Sequence, residues 1–362
     1  MKTRLIFALA ITAAALTGYA QTTQKLTANK INEYGLIYTL PTTVFDITVE
    51  AEKTVSTPGE FFRYAKKYLG MDPIIEPSTI YSLKSVAVNQ RGTADENERY
   101  LIQFKSGSTP FIMVSDTNFP LSINTEDIPE TASPAIPTAK AAEPTILETP
   151  AASQAVTAEM LQSTSSAKRA ELAAARIFEL RQSRSEIISG TADNMPADGQ
   201  AMQLALDNLS AQEAALTAMF VGTTQKSTQV ETFTVTPPAD VNGKWEHTVA
   251  RISELEGIVA ADDLTGSPVR LTLTVTNRGK LPVNDKGEEK RFPKGGLAYR
   301  IPGSAEITLS HEGKSLISES FDIAQYGIVF GLDPNLFTDK KAPAYAIFNP
   351  VTGAITELGT VK

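Results

Sequence analysis

Strict alternation marks the start of the patterned chain. Phe45, Ile47, Val49 and Ala51 take every second position, with Asp46, Thr48 and Glu50 between them. A period of two sends one set of side chains to an apolar interior and the other toward water, which predicts a half-buried strand. Tyr100, Ile102 and Phe104 repeat the pattern, and Phe111-Ile112-Met113-Val114 is a short run of the buried type. One short helix is expected between these strands. Thr57 and Glu60 have the spacing of a capping box, with Pro58 at the first helical position. Phe61, Ala65, Tyr68 and Leu69 then share one face, and Gly70 followed by Pro73 ends it. Residues 21–125 thus read as an N-terminal β-rich domain with one short helix.

The pattern changes at residues 126–156. Pro129, Pro134, Pro137, Pro144 and Pro150 stand among Ala, Thr and Glu, with no aromatic residue. Isolated apolar residues bury too little surface to offset the entropy of ordering. An extended, polyproline-like linker is the expectation. From 157 to 222 the period becomes helical. Ala173, Ile177, Leu180 and Ile187 keep three-four spacing, and Met202, Leu206, Leu209, Leu216 and Phe220 do so again. Gly190 suits the end of the first helix, and Asp193 to Gly199 combines turn and start signals. An antiparallel helical hairpin follows from this.

Residues 223–362 return to a period of two. Val269, Leu271, Leu273 and Val275 alternate with polar residues, as do Ala305, Ile307, Leu309 and His311. Glu312-Gly313 sits where a hairpin turn to Ser315–Ile323 is needed. Asn349 to Gly353 is a second turn, between Tyr345–Phe348 and Ala354–Leu358. Short strands punctuated by turns predict a sandwich or open barrel. Residues 253–264 fit a short helix or a loop. The fold class is therefore α+β: two β-rich, sandwich-like regions with an antiparallel helical hairpin between them. Whether the β regions share one sheet system is open at this level.

Residues 1–20 fall outside both periods. Lys2 and Arg4 precede an uncharged run from Leu5 to Leu16, and Gly18-Tyr19-Ala20 ends it. That is the order of a cleavable secretory signal. The run is shorter than the roughly 20 residues of a spanning helix, and no other segment is long and apolar enough to be one. Export to the periplasm, the cell surface or beyond is expected. The chain has no cysteine, so disulfides, thiol catalysis and zinc–thiolate sites are excluded. A net charge of −8 repels phosphate backbones and argues against nucleic-acid partners. Within the hairpin, charge is uneven. Lys168, Arg169, Arg176, Arg181 and Arg184 accompany Glu171, Glu179 and Glu186 on the first arm, while the second has Asp207 and Glu213 and no basic residue. Cross-arm pairing on a solvated surface accounts for this, and a basic stripe that docks an acidic partner is the sharper alternative.

Candidate chemistry is sparse. His247 and His311 are the two histidines. His247 shares a face with Trp245 and Val249 and reads as a packed or half-buried strand residue, while His311 reads as a solvated strand end. Asp262-Asp263 and Asp193 to Asp198 lack the ligand series of a calcium loop. No Gly-x-Ser-x-Gly elbow occurs, and Gly295-Gly296 precedes a strand rather than the helix a phosphate loop requires. No catalytic, cofactor-binding or metal-ligating residue is assigned, and no cofactor.

Several segments carry a resemblance to a known family: residues 174–181, Asp193 to Gly199, Phe220-Val221-Gly222, Tyr299-Arg300-Ile301-Pro302-Gly303 and Gln325-Tyr326-Gly327. Here the chain resembles a family of exported proteins of Bacteroides-like gut bacteria described as a domain of unknown function, DUF4831. The Pro/Ala-rich stretch looks like a variable insertion in it. The resemblance implies export and a Gram-negative envelope setting, and it assigns no ligand or reaction. The function expected is that of a non-enzymatic envelope protein, a structural or protein-interaction module whose partner is another envelope protein or a cell-surface component. A carbohydrate-binding module or glycan-processing enzyme is the alternative.

Overall fold

The computed structural model describes residues 22–25, 35–103, 111–128, 137–196, 199–338 and 342–361. The predicted signal segment, Phe104 and residues 129–136 lie outside them. The strands are β1 (Thr22–Lys25), β2 (Leu36–Thr57), β3 (Ser78–Gln103), β4 (Ile112–Val114), β5 (Pro120–Ile123), β6 (Thr223–Val235), β7 (Lys244–Ser253), β8 (Gly257–Val259), β9 (Ser267–Asn277), β10 (Leu297–His311), β11 (Lys314–Leu332), β12 (Ala344–Phe348) and β13 (Ile355–Thr360). The helices are α1 (Ala65–Leu69), α2 (Pro150–Ala155), α3 (Ala158–Gln162), α4 (Ser166–Ser189), α5 (Gln200–Val221) and α6 (Asn335–Thr338). This is an α+β chain rich in strand, and all the strand pairs are antiparallel.

Among the described residues three sheets form, in the orders β1-β3-β2-β6, β11-β10-β9-β7-β8 and β13-β12-β5-β4. Two of them mix the β-rich regions that the helices separate in sequence. β6 pairs with β2 from Thr57↔Thr223 to Phe45↔Val235, and β12 pairs with β5. The question left open by the sequence is thereby answered: the two regions share sheets. One apolar core joins Phe45, Ile47, Val49 and Ala51 to Val269, Leu271, Leu273, Ala305, Ile307 and Leu309. These are the alternating positions of β2, β9 and β10, so the period of two correctly marks the inward faces. A second core collects Tyr38, Leu40, Tyr100 and Ile102 with Leu297, Leu332, Phe337, Ala346 and Phe348.

The long strands cross from one core to the other through two large bulges. In β3, residues 95–98 stand opposite Leu40 alone, because Thr39 pairs with Arg99 and Pro41 with Ala94. In β11, residues 324–327 stand opposite Pro302, because Ile301 pairs with Ile328 and Gly303 with Ile323. Extra residues on one strand bend it and increase its twist, and a proline without an N–H suits such a break. A Cβ on Gly327 would overlap the carbonyl oxygen of Ile301 and stand 2.7 Å from Pro302 Cα, so glycine is required there. Polar groups tie the bulges together. The buried Arg300 guanidinium reaches Asp95 Oδ2 at 2.6 Å and the Ala324 carbonyl at 3.3 Å. Gln325 Nε2 donates to Thr43 O at 2.9 Å and to Pro237 O at 3.2 Å, while its Oε1 accepts from Thr43 N at 3.0 Å. The Arg300 N–H donates to Gly353 O of the third sheet's turn. Two of the sequence segments that carry the family resemblance, 299–303 and 325–327, therefore build the junction of the three sheets.

Turns follow their chemistry. Glu312 and Gly313 both have positive φ, 49° and 77°, as a tight hairpin turn demands. Asn349 Oδ1 accepts from Val351 N and Thr352 N. Residues 253–264, read as a short helix or loop, instead contain β8 and its flanking turns.

Two local expectations are corrected. The capping box at Thr57 and Glu60 does not form: Thr57 is the last residue of β2, held opposite Thr223, and Glu60 pairs with Arg169 at 2.6 Å. A 3-10 turn over Phe62–Tyr64 leads into α1 instead, with no side-chain cap, and Gly70 ends α1 in the left-handed conformation. The stretch 126–156 is not extended linker throughout. Residues 137–143 lie along the outer edge of β6, where Thr228 N donates to Lys140 O at 2.9 Å. A capping box of Thr145 and Glu148 then opens a 3-10 turn at Ile146–Glu148, and α2 follows with Pro150 in its first turn. Ala155 is fully buried against the helices. Small alanines gain burial here because a neighbouring helix supplies the apolar surface.

A candidate interaction surface on the helices

α4 and α5 pack side by side and run in opposite directions. Arg181 reaches Glu213, and Arg184, one turn further on, reaches Ser210, one turn back. Ser165 caps α4 by accepting from Lys168 N. Gly190 ends it at φ 74°, with Thr191 N donating to Glu186 O. That is the left-handed C-terminal motif its sequence suggests. The apolar face of α4 closes a third core with Phe61, Met160, Leu216 and Phe220, in which the Phe61 and Phe220 rings lie 5.4 Å apart.

Among the described residues, the pair is anchored at one end. Phe61 N donates to Met219 O at 2.7 Å and Ile74 N to Val221 O at 2.9 Å, and α5 runs directly into β6. The buried positions of α4 stop at Leu180 and those of α5 begin at Ala215. α4 continues nine residues beyond Leu180, about 13 Å at 1.5 Å per residue. Large apolar side chains on this outer part face water: Ile188 is 69 % exposed and Leu204 70 %. Phe178, on the packed part just before Leu180, is 52 % exposed with the Arg181 guanidinium 5.6 Å over its ring. Ile187, Met202, Leu206 and Leu209, expected as core positions, are half-buried, and Met195 is exposed.

Arg169 of α4 pairs with Glu60 outside the helix, and the other four cations divide into two groups. Lys168 and Arg176 pair with Glu171 and Glu179 three residues on. Arg181 and Arg184 both turn to one carboxylate, Glu213, at 2.6 Å each. They line a shallow pocket of about 400 Å³ with Ser210, Thr217, Met71 and Val221. A larger depression of about 480 Å³ lies where residues 140–146 cross the start of β6. Each lysine there has its own acid, Lys140 with Glu143 and Lys226 with Glu52. The smaller pocket has an excess of positive charge and the larger has none.

The residues weighed for other chemistry are scattered. His247 is exposed and stacks on Trp245, ring centroids 5.4 Å apart; it is not packed inside, although it stands opposite the buried Leu271. His311 is half-buried rather than solvated, with Nδ1 3.3 Å from Pro268 O and Nε2 3.4 Å from Ser267 Oγ. Glu312 lies 3.9 Å from the same Nε2. A nucleophile relay needs acid and serine on opposite ring nitrogens, so this trio lacks that arrangement. Asp263 holds Thr265 N and Oγ1. Gly295 and Gly296 form a turn before β10. Asp193 precedes α5 in the chain, and Asp198 lies outside the described residues. Among the described residues no three His, Asp or Glu side chains gather closely enough to hold a metal, and no helix is long and apolar enough to cross a membrane. Tyr326, at the sheet junction, is pushed up to about 12 by burial.

Sequence reasoning missed Met71 and the meeting of both arginines on Glu213. The signal was present in the three-residue spacing of Arg181 and Arg184, but the facing residue depends on the register between helices. A family model described as a domain of unknown function, DUF4831, matches residues 34–356. Comparison with curated proteins and with solved structures gives no match.

Proposed function

We propose that this chain, which belongs to the DUF4831 family, is a non-enzymatic protein of the cell envelope that binds another protein through its α4–α5 helical hairpin. The observation that carries the reading is the outer part of that pair. It displays Ile188 and Leu204 to water, with Phe178 exposed beside Arg181 at its base, while its root is fixed to the sheets by backbone hydrogen bonds. Large apolar side chains exposed on one projecting element are candidate contacts for a partner, and anchoring the root limits the entropy lost on docking. Export supports the same reading from the sequence side, through the charged, apolar and small-residue order of residues 1–20.

The test is site-specific photo-crosslinking in cells that express the chain natively. Photoreactive residues at 178, 188 and 204 are expected to capture a common protein. The same probe at the exposed Leu316 of β11 is expected to capture none. Equal capture from both surfaces, or none from the helices, refutes the reading.

A second reading, binding of carbohydrate, draws on the Trp245–His247 stack at the surface of β7. Trp245 also packs against the first core, which leaves one part of its ring for a ligand. A glycan array on wild type and Trp245→Ala separates the readings: selective sugar binding lost in the variant supports this one, and a blank array removes it.

A further inference from the structure

We infer that the pocket at the root of the helix pair is a carboxylate-binding site, which takes an acidic side chain and an adjacent apolar residue from a peptide segment of the partner protein. The inference rests on the interaction reading above and names the chemistry of the partner.

Charge count is the first argument. Arg181 Nε donates to Glu213 Oε1, and Arg184 Nη1 meets Glu213 Oε2 and Ser210 Oγ. Two guanidiniums therefore share one carboxylate, and the cluster carries one uncompensated positive charge in a chain of net charge −8. Asp72, which follows Met71 in the chain, is already paired with Lys66 at 3.1 Å. One incoming carboxylate completes the set, two acids for two bases.

Donor count is the second. A guanidinium offers five N–H donors in a planar fork. Among the described residues, Arg181 gives Nε and Arg184 gives Nη1 to side-chain oxygens, the Arg181 guanidinium lies 5.6 Å over the Phe178 ring, and both side chains remain one-third or more exposed. The Nη groups of Arg181 are left for a second, bidentate partner of the kind carboxylates favour. Glu213 is mostly buried and holds both stems in place, so the fork is positioned before a ligand arrives. Met71, Ala214 and Val221 supply the apolar side of the pocket, which suits a hydrophobic neighbour of the acidic residue.

The lysine-bearing depression on β6 fails the same count, since each of its cations already has an acid.

The test uses the chain from residue 21 onward and a fluorescein-labelled peptide of alternating Glu and Leu, with its Gln/Leu counterpart as control, read by fluorescence anisotropy. The acidic peptide is expected to bind at least tenfold more tightly than the neutral one. R181Q/R184Q is expected to weaken it about tenfold or more, since charge-assisted bonds are the strong ones. Arg181→Lys retains the charge but loses the fork, and is expected to weaken binding severalfold with the melting temperature unchanged. Glu213→Gln removes the competing carboxylate and is expected to tighten binding, an outcome that a merely structural role for Glu213 does not produce. Equal affinity for both peptides, indifference to the arginine variants, or displacement by inorganic phosphate as readily as by unlabelled peptide overturns the inference. Crosslinking from residues 178, 188 and 204 that persists in R181Q/R184Q sinks the pocket and leaves the interaction arm standing, whereas loss of all helix crosslinks in the wild type sinks the arm.

Discussion

Replacing Gln325 with leucine tests whether one side chain holds two sheets together. β6 pairs with β2 only as far as Phe45, so at Thr43 the ladder lacks a strand on that side. The Gln325 amide takes its place, donating to Thr43 O and accepting from Thr43 N, and also donates to Pro237 O. Thr43 is fully buried. Leucine has nearly the same shape and no polar atom, so the loss is of hydrogen bonds rather than volume. Three net bonds at about 1 kcal/mol each give roughly 3 kcal/mol. Three backbone groups left without this partner, Thr43 N, Thr43 O and Pro237 O, at about 1 kcal/mol or more each, give a similar figure. A loss near 3 kcal/mol is a large part of the roughly 5–15 kcal/mol that stabilises a typical domain. Urea unfolding followed by the fluorescence of Trp245, the single tryptophan, reads it as a lowered midpoint at unchanged slope. A loss below about 1 kcal/mol refutes the reasoning. Gln325→Glu adds a check of sign. The new carboxylate faces two carbonyl oxygens, which favour its protonated form and raise its folded pKa above the unfolded value. Its folded state then binds more protons, so stability falls as pH rises, and the variant is expected to recover toward wild type as the pH is lowered from 7 to 5.

Further outcomes are expected from the same structure. Gly327→Ala forces a Cβ onto the Ile301 carbonyl and is expected to destabilise by about 2 kcal/mol or more, seen as a lower melting temperature; a change under about 0.5 kcal/mol contradicts the packed bulge. Arg91 hydrogen-bonds Asp46 and holds its carboxyl below the usual carboxylate range. That contribution is present above the unfolded pKa and is lost as pH falls through the lower folded value. Asp46→Asn is therefore expected to cost under about 1 kcal/mol near pH 7, as partly exposed pairs do, with the difference from wild type vanishing in acid; a difference that grows toward low pH counts against the pair. Ile188→Ser with Leu204→Ser is expected to change stability by less than about 1 kcal/mol in total, because neither side chain is covered; a larger loss means that the outer helices are packed. N-terminal sequencing of the exported chain is expected to begin at Gln21, and retention of Met1 to Ala20 in that fraction contradicts the signal reading.

The strands are the most legible part of this chain. Alternation at Phe45 to Ala51, Val269 to Val275 and Ala305 to Leu309 names the inward faces because one side of each strand meets a single core. What alternation does not encode is which strand is its neighbour, and the pairing of β6 with β2 links residues 188 positions apart, as at Asp46↔Thr234. The bulges are illegible for a related reason: Pro302 and Gly327 read as ordinary turn residues until the strand opposite each is known. Between Glu126 and Val156 composition misleads where local chemistry does not. Thr145, Glu148 and Pro150 carry the same start signals as Thr57, Pro58 and Glu60, yet only the first set caps a helical turn, because Thr57 is committed to a strand pair. A cap motif is a permission that the tertiary environment grants or withholds.

The placement of the candidate site follows from that same pairing. Thr57 opposite Thr223 locks the end of β2 close behind α5, so the last turns of α5 move with the sheets. Gly59 lies directly against the Met219 backbone, which removes the space in which α5 would rock. Glu213, Thr217 and Val221 are successive steps of four along one face of this fixed segment, and Arg181 and Arg184 approach them from α4 at the level where its buried face ends at Leu180. The two arginines thus stand at the boundary between the part of the helix pair that is packed and the part that is free. A ligand held there meets a preformed fork on the rigid side, while the exposed Ile188 and Leu204 extend along the outer part and are free to adapt to a larger surface. Preorganised charge at the root and adjustable apolar area beyond it divide recognition between specificity and contact area, and that division is why the pocket, not the tip, is where single substitutions should decide which partner binds.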